Sequence, residues 1–253
     1  MPAQVMSAAP RAPDLRWRAA LVLAGACAAC GDNRYRDEAF YAWDGEAALG
    51  AYSLDGIPPT SPGIAREIAF AKNAGVVVLF YGHDPPVDTS TDTVDALLSA
   101  ADAAGIPTFT FADLADPAKH GPGICLSFDD TEVDAWFALR PLLQQHGAHV
   151  TFFVTEYTTL TDDARAKLHQ LYAEGHSVEA HAVHHDFPDE YVADHGIDAY
   201  LTNEVQPSID VLRADGFTPV AFAYPHGAND EALDDAIAAR IRFVRTISGH
   251  LKP

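Results

Sequence analysis

Short apolar runs alternate with amphipathic helical segments along the chain from about residue 51 onward. The runs are rich in β-branched and aromatic residues, and most are continuous rather than alternating, which is typical of strands buried on both faces. The predicted strands are Ala51–Asp55, Val76–Tyr81, Pro107–Phe111, Ile124–Asp130, Val150–Val154, Ser177–Ala182, Val220–Pro225 and Phe243–Thr246. The pattern therefore predicts an α/β protein.

Helix signals fill the gaps between these strands. Polar N-cap residues open the segments, and glycine closes three of them. The predicted helices open at Ser61, Ser90, Thr161 and Asn229. Regular alternation of strand and helix implies right-handed crossovers and parallel strands. The eight strand candidates favour an irregular (β/α) barrel of seven or eight parallel strands over an open sheet, and we expect one domain over residues 51–253.

Residues 1–30 predict export from the cytoplasm, followed by a linker over residues 31–50. Three arginines precede an apolar run, Ala19–Ala29, that is too short to span a bilayer as a helix. Small residues stand directly before Cys27 and Cys30, an arrangement that resembles a bacterial lipobox. We expect lipidation at Cys30, with Cys27 as the alternative, and attachment to the cell envelope at the outer membrane of a Gram-negative bacterium. An ordinary cleaved signal peptide is the competing interpretation.

The charge balance narrows the range of partners. The chain contains 16 Lys and Arg against 36 Asp and Glu, which gives a net charge of −20. Such a surface repels phosphate backbones, so nucleic acid is excluded as an expected partner. The 3 cysteines are too few for a disulfide framework.

Polar side chains cluster where the predicted strands end, which is where parallel β/α folds place their active sites. The clusters are Asp129-Asp130, His181 with His184 and His185, Tyr224-Pro225-His226, and His83-Asp84. Two adjacent carboxylates at the end of a buried strand repel each other unless a cation compensates them. Histidine and carboxylate ligands together suit zinc. The sequence therefore predicts a metal centre at this end of the sheet.

Three of these segments resemble the motifs of one protein family. Leu126–Asp130, Gly175–His185 and Phe222–Gly227 are similar to the first, second and third motifs of the polysaccharide deacetylases, the NodB-homology family or carbohydrate esterase family 4. They follow the family's order and spacing across about residues 123–246. The resemblance implies the family's irregular barrel and a hydrolase that uses one divalent metal ion, with Zn²⁺ as the expected metal.

The first two motifs imply a metal site and a base. The metal ligands would be Asp130, His181 and His185. Asp129 would be the general base that deprotonates the attacking water, while the metal would polarise the acetyl carbonyl. Two further histidines are interpreted as structural residues: His176 and His184.

The third motif implies substrate contacts and contains a departure from the family. Tyr224 and His226 would lie at the substrate, with a backbone N–H near His226 stabilising the oxyanion. The family commonly has an arginine two residues before the proline of this motif, and here that position is Ala223. Because the arginine normally orients the base, either another residue must do so or Asp129 is less constrained.

The second departure concerns the order of the strands. The family continues after the strand equivalent to Phe243–Thr246 with two more strands and a general-acid histidine, whereas the sequence ends at Pro253. One interpretation is a truncated, inactive protein. Another is that the early strands resemble the missing portion, so that the barrel is circularly permuted.

The permuted arrangement makes specific predictions. His83 would be the general acid, and Asp55 would be its hydrogen-bond partner. Ala51–Asp55 would lie beside the last strand, and Pro107–Phe111 beside Ile124–Phe128. Val76–Tyr81 would lie between the first and third of these early strands. The alternative is that Val76–Tyr81 is an extra strand with an incidental histidine.

The leading functional hypothesis is a metal-dependent hydrolase that removes acetyl groups from a cell-envelope or extracellular glycan. One alternative within the same fold is hydrolysis of a non-peptide C–N bond in a small cyclic amide. An alternative of a different class is a non-catalytic, lipid-anchored glycan-binding protein. The complete set of motif residues favours the enzyme.

Overall fold

The computed structural model describes residues 39–227 and 230–251. Its strands are β1 (Phe40–Tyr41), β2 (Ala48–Ser53), β3 (Val77–Gly82), β4 (Thr108–Phe109), β5 (Gly123–Asp130), β6 (Thr151–Val154), β7 (Ser177–Ala180), β8 (Ala221–Ala223) and β9 (Phe243–His250). All residues of β3, β6 and β8 are buried, as their continuous apolar sequences predict. The predicted export signal, with Cys27 and Cys30, lies outside the described residues.

Seven parallel strands close into a barrel in the order β2, β9, β8, β7, β6, β5, β3. Strand β3 completes the ring, because it pairs in parallel with β2 on one side and with β5 on the other. Closure leaves no ring strand with an unpaired edge. The predicted irregular (β/α) barrel is confirmed.

The early part of the chain supplies strands that complete this ring. Strand β2 pairs in parallel with β9, with Ala48 opposite Val244, and β4 pairs in parallel with β5, as expected. The expected neighbours of β3 were wrong in one respect, since β3 pairs with β5 rather than with β4. Strand β4 instead pairs with the first part of β5, at Ile124 and Cys125.

Strand β4 is shorter than its apolar sequence predicts. The run Pro107–Phe111 forms only a two-residue strand, because a short helix begins at Phe111. The side chain of Thr110 accepts a hydrogen bond from the Asp113 N–H in a capping box, which ends the strand and starts the helix.

The predicted linker over residues 31–50 also needs correction, because β1 and the start of β2 lie within it. The ring of Phe40 packs against Tyr52 and Phe70, with centroid distances of 6.3 and 4.7 Å. Further along, the indole N–H of Trp43 donates to the Gly121 carbonyl at 3.0 Å. These contacts fix the segment on the barrel.

Helices surround the ring of strands. They are α1 (Pro62–Ala74), α2 (Thr91–Ala104), α3 (Phe111–Ala115), α4 (Val133–Ala138), α5 (Arg140–Gln145), α6 (Asp162–Ala173), α7 (Pro188–His195), α8 (Ile197–Tyr200), α9 (Gln206–Ala214) and α10 (Glu231–Ala238). A π-helical turn, Leu201–Val205, joins α8 to α9. The caps Ser90, Thr161 and Asp230 each accept from the N–H three residues on. Within the described residues, no helix combines the length and apolarity that crossing a membrane requires.

Alternate strand residues point into the barrel or outward to the helices, as a closed barrel requires. The inner cluster includes Leu79, Cys125, Phe153 and Phe243. The outer cluster joins the strands to the helices and is larger. Its aromatic centre is Phe152, which stacks on Trp136 with a centroid distance of 5.1 Å.

We expect Phe152→Ala to destabilise the fold strongly, because the fully buried ring would leave a cavity between the barrel and α4. The expected loss in the free energy of unfolding is about 3–5 kcal/mol, measured by denaturant titration. Phe70→Ala is the matched control, since Phe70 is 49% exposed and its loss should cost about 1 kcal/mol or less. Equal losses in the two variants would contradict the assigned core.

Candidate active site

The carboxyl ends of β5 and β7 carry the first group of predicted site residues. Asp129 and Asp130 end β5, and His181 directly follows β7. Neighbouring strand residues face opposite sides, so the two aspartates lie in different surroundings. The side chain of Asp129 is buried and that of Asp130 is partly exposed.

Asp130, His181 and His185 converge at this end of the barrel. The Nε2 atoms of His185 and His181 lie 3.1 and 3.5 Å from Oδ1 of Asp130. Ligands bound to a tetrahedral ion at ~2.1 Å lie about 3.4 Å apart, so the spacing suits one divalent metal ion.

The hydrogen bond of His181 strengthens this fit. Its Nδ1–H donates to the carbonyl oxygen of Ala223 at 2.9 Å, so the opposite nitrogen, Nε2, carries a lone pair toward Asp130. Oδ1 of Asp130 is buried and has no hydrogen-bond partner. Acceptor atoms that face one another in this way are stabilised by a cation between them, so the residues present fit a divalent metal.

The backbone is strained at the same place. Among the described residues, 6 non-glycine positions have positive φ. Asp130, Ala182, His185 and His226 belong to this group, with φ of 88°, 65°, 57° and 56°. Such conformations cost about 1–3 kcal/mol each and persist only where surrounding contacts hold them. The concentration of strain marks this end of the barrel as a functional site.

Glu204 holds the loop between the two histidines of the cluster. Its buried carboxylate accepts from the N–H groups of Val183 and His184 at 3.1 and 2.9 Å, and from Nδ1–H of His184 at 2.7 Å. These bonds fix the turn that returns His185 toward His181. Glu204 lies in the π-helical turn, a feature frequent at functional sites. Sequence reasoning missed this residue, because one acidic residue in a helical segment carries no signal.

Asp129 pairs with Arg245, which comes from β9 and is almost fully buried. The guanidinium lies over the rings of Tyr81 and Phe153, at 4.7 and 5.3 Å from their centroids. Both rings and the ion pair hold Arg245 in a single position. Oδ1 of Asp129 has no hydrogen-bond partner, so one oxygen of the carboxylate is held and the other is free to accept a proton.

Arg245 lies directly opposite Ala223 in the register of β8 and β9. The arginine that pairs with Asp129 is therefore one strand away from the position where the motif resemblance places an arginine. Sequence reasoning missed Arg245. The available signal was an arginine inside an otherwise apolar strand, since a buried cation needs a partner.

His83 and Asp55 follow β3 and β2 and form a second pair at the same end of the barrel. Nδ1 of His83 lies 2.5 Å from Oδ2 of Asp55, and the His83 N–H donates to Oδ1 at 3.1 Å. The Thr89 hydroxyl also donates to Oδ1, at 2.5 Å. The pairing of Gly82 with Phe128 places His83 on the strand beside Asp129.

The charges around His83 favour its protonated form. Burial lowers the pKa of His83, but the Asp55 hydrogen bond and the charges of Asp129, Asp55 and Asp130 outweigh it and raise the pKa to about 9. Burial likewise opposes ionisation of Asp55, yet the bonds from His83 and Thr89 lower its pKa. The pair is therefore an ionised carboxylate bound to an imidazolium at neutral pH.

Tyr224 does not occupy the predicted position at the substrate. Its phenol is buried in the outer layer, where the hydroxyl donates to Asp234 at 2.9 Å. The reason is strand alternation, because Ala223 points into the barrel and its neighbour must point out. His226 does lie at the site, with its ring centroid 4.5 Å from that of His185. The ring of His176, which was expected to be structural, accepts a hydrogen bond from the Val150 N–H at 3.1 Å.

A cavity of about 440 Å³ opens beside this cluster. Its lining includes Asp84 and Thr131, which directly follow His83 and Asp130 in the chain, together with the acidic residues Glu132, Asp134 and Glu156. The acidic lining favours neutral or cationic ligands over anionic ones.

Comparison with known protein families shows to which family the chain belongs. The model of the polysaccharide deacetylase family matches residues 116–244, about half of the chain. The chain belongs to the polysaccharide deacetylase family. The matched region runs from β5 to β9 and contains the three predicted motifs. A search of curated proteins gives no match.

Solved structures of deacetylases share the fold. The Streptococcus pyogenes deacetylase PplD is 21% identical with a TM-score of 0.50, over 66% of this chain and 80% of its own. IcaB from Ammonifex degensii is 18% identical with a TM-score of 0.56, over 71% and 87%. A de-N-acetylase from Aggregatibacter actinomycetemcomitans is 12% identical with a TM-score of 0.53, over 70% and 95%.

We expect Arg245→Ala to reduce deacetylation by ~10²-fold, because Asp129, the base that the motif resemblance predicts, loses its ion-pair partner. Breaking a buried ion pair also costs about 3–5 kcal/mol of stability. Adding Ala223→Arg to this variant should restore part of both, since residue 223 lies opposite residue 245. Acetate release and denaturant titration are the measurements.

The matched control for this experiment is Arg242→Ala, which removes an exposed arginine directly before β9. It should leave acetate release unchanged. Full activity in the Arg245→Ala variant would show that Asp129 needs no orienting cation.

Proposed function

We propose that the protein is a zinc-dependent hydrolase that removes acetyl groups from a cell-envelope or extracellular glycan. The observation that carries this proposal is the convergence of three acceptor groups, those of Asp130, His181 and His185, beside a carboxylate held by Arg245. The family supports an enzyme acting on acetylated glycans. The acidic cavity beside the site supports a neutral or cationic sugar rather than a strongly anionic one.

The donor set of two imidazoles and one carboxylate suits Zn²⁺. When bound there, the ion would polarise the acetyl carbonyl and lower the pKa of water. The Ala223 carbonyl accepts a hydrogen bond from the far side of the His181 ring, and Glu204 fixes the loop that carries His185. Hydrogen bonds to the side of a ligand that faces away from the metal fix its orientation.

Asp129 is the proposed general base. Arg245 holds one of its oxygens, while Oδ1 has no hydrogen-bond partner and is free to accept a proton. The carboxylate takes a proton from the water whose oxygen forms the new bond to the acetyl carbon. The backbone N–H of His226 is the proposed donor to the developing oxyanion.

His83 is the proposed general acid. Its pKa of about 9 keeps the imidazolium protonated at neutral pH, and Asp55 fixes its orientation. When the C–N bond of an acetamide or the C–O bond of an acetyl ester breaks, the electron pair stays on the sugar nitrogen or oxygen, which takes the proton from His83. The products are acetate and a free amine or hydroxyl group.

The arrangement of the barrel is part of the proposal. Strands β2 and β3, which carry Asp55 and His83, precede the region that matches the family model, yet they lie between β9 and β5 in the ring. We propose that the catalytic domain is a circularly permuted form of the family fold. Lipidation at Cys30 or Cys27 and attachment to the outer membrane are proposed from the sequence pattern alone.

A glycan-binding protein without activity is less consistent with the site. Holding Asp130 without a donor and four residues at positive φ is costly. A protein that only bound glycans would gain nothing from these costs. The site has the pattern expected of a catalytic centre.

The proposed function predicts that metal and acetate release depend on the same ligands. His181→Ala or His185→Ala should lose bound zinc, measured by elemental analysis, and also acetate release from N-acetylglucosamine oligomers and acetylated xylan. Asp129→Asn should retain zinc but lose roughly 10²–10⁴-fold in rate. The matched control is His195→Ala, which removes an exposed histidine from the end of α7.

Three outcomes would contradict parts of this assignment. Full zinc occupancy in the His181 and His185 variants would exclude these ligands. Loss of zinc in Asp129→Asn would mean that the roles of the two aspartates are exchanged. A wild-type protein that holds zinc but releases no acetate from any glycan would overturn the proposed function.

The pH dependence of the rate should report His83. The acid must be protonated, so activity should fall as the pH rises through the pKa of His83. Asp55→Asn removes the hydrogen bond and one of the three carboxylate charges that together raise this pKa to about 9, so the alkaline limb of kcat/KM should move to lower pH. Asp92→Asn, at an exposed position in α2, should leave the profile unchanged. An unmoved limb in Asp55→Asn would exclude His83 as the acid.

A further inference from the structure

An exposed aromatic side chain lies beside the proposed metal ligands. Among the described residues, the exposed large hydrophobic side chains are Phe70, Val87, Phe187 and Ile247. Phe187 is 48% exposed and follows His185 by two residues. Single exposed apolar residues are ordinary on a protein surface, so the contacts of Phe187 decide whether it has a role.

The ring of Phe187 is fixed rather than loose. It stacks on the ring of His226 with a centroid distance of 3.7 Å and an interplanar angle of 9°. Nε2–H of His226 donates to the carbonyl oxygen of His185 at 3.2 Å. The two stacked rings are therefore tied to the backbone of a proposed metal ligand. We name the stacked pair, Phe187 and His226, the aromatic ledge.

The backbone of Phe187 is also restrained. It has φ −65° and ψ 114°, within the extended region that a following proline favours. Pro188 then starts α7. With its backbone restricted and its ring stacked, Phe187 loses little freedom when a ligand covers it, which makes it a preorganised contact.

The charges around the ledge limit what it can bind. Asp186, Asp189 and Glu190 are exposed beside Phe187, and the whole chain carries −20. Anionic ligands are therefore disfavoured here. A pyranose ring with hydroxyl, acetamido or ammonium substituents meets this restriction. Its C–H groups also suit the electron-rich face of an aromatic ring.

We infer that the aromatic ledge is a sugar subsite, at which Phe187 stacks on a pyranose ring next to the acetylated one. The inference rests on the proposed function, because it assigns the reacting sugar to the neighbouring metal centre. The ledge would then align an oligosaccharide across the site, whereas a substrate without a second sugar would not use it. Phe187 is therefore a specificity-determining residue and takes no part in the chemical step.

Steady-state kinetics on two substrates tests this assignment. One substrate is the pentamer of N-acetylglucosamine, and the other is the small ester 4-nitrophenyl acetate. Phe187→Ala should raise KM for the pentamer about tenfold, equivalent to ~1.4 kcal/mol, with kcat, zinc content and ester turnover unchanged. Phe187→Trp should keep the wild-type KM, because it preserves an aromatic face. The matched control is Phe70→Ala, since Phe70 is equally exposed on α1.

The outcomes separate the ledge from the proposed function. An unchanged KM for the pentamer in Phe187→Ala would overturn the sugar subsite and leave the hydrolase intact. Parallel loss of ester turnover and zinc would also overturn it, since the residue would then be structural. If the wild type releases no acetate, the ledge is still tested by calorimetry, which measures binding of the pentamer and of an acetylated xylan oligomer. Weaker binding in Phe187→Ala than in the wild type supports the ledge, whereas equal binding in both proteins, or no binding to the wild type, refutes it.

Discussion

Two adjacent carboxylates at the end of one buried strand need two separate positive charges. Asp129 is buried against Arg245, whereas Asp130 is partly exposed at the end of the strand, so different groups balance the two charges. Arg245 supplies the first from β9, on the opposite side of the barrel. Asp130 faces the imidazoles of His181 and His185, and the three groups together leave a place for a metal cation. The first carboxylate, the proposed base, is therefore held by the protein, while the second belongs to the proposed ligand set, which is open to a metal.

The different surroundings of Asp129 and Asp130 require a closed ring of strands. Asp55 and His83 come from β2 and β3, and Arg245 comes from β9, so the groups that surround Asp129 lie far apart in the chain. Pairing of β3 with both β2 and β5 places them around one opening. An open sheet ending at β5 and β9 would leave Asp129 without His83 on its other side. The site therefore depends on barrel closure as much as on the motif residues.

The sequence predicts what is local and misses what arises from tertiary contacts. Asp129, Asp130, His181 and His185 lie in short motifs at strand ends, so their positions follow from strand alternation and the β/α order. The position of the strand at residues 51–55 beside the strand at residues 243–246 could also be predicted, because the barrel needed further strands to close. Glu204 could not be foreseen, because its role depends on a π-helical turn folding back over the loop it holds.

Tyr224 and Arg245 show the same limit within single strands. Their identities were visible, but which way each side chain points depends on a register that the sequence alone does not fix. Once Ala223 faces inward, Tyr224 must face the helices, and Arg245, opposite Ala223, must face inward too. One register therefore explains why a predicted substrate residue is buried elsewhere. It also explains how the barrel keeps an arginine for Asp129 although the motif position holds alanine.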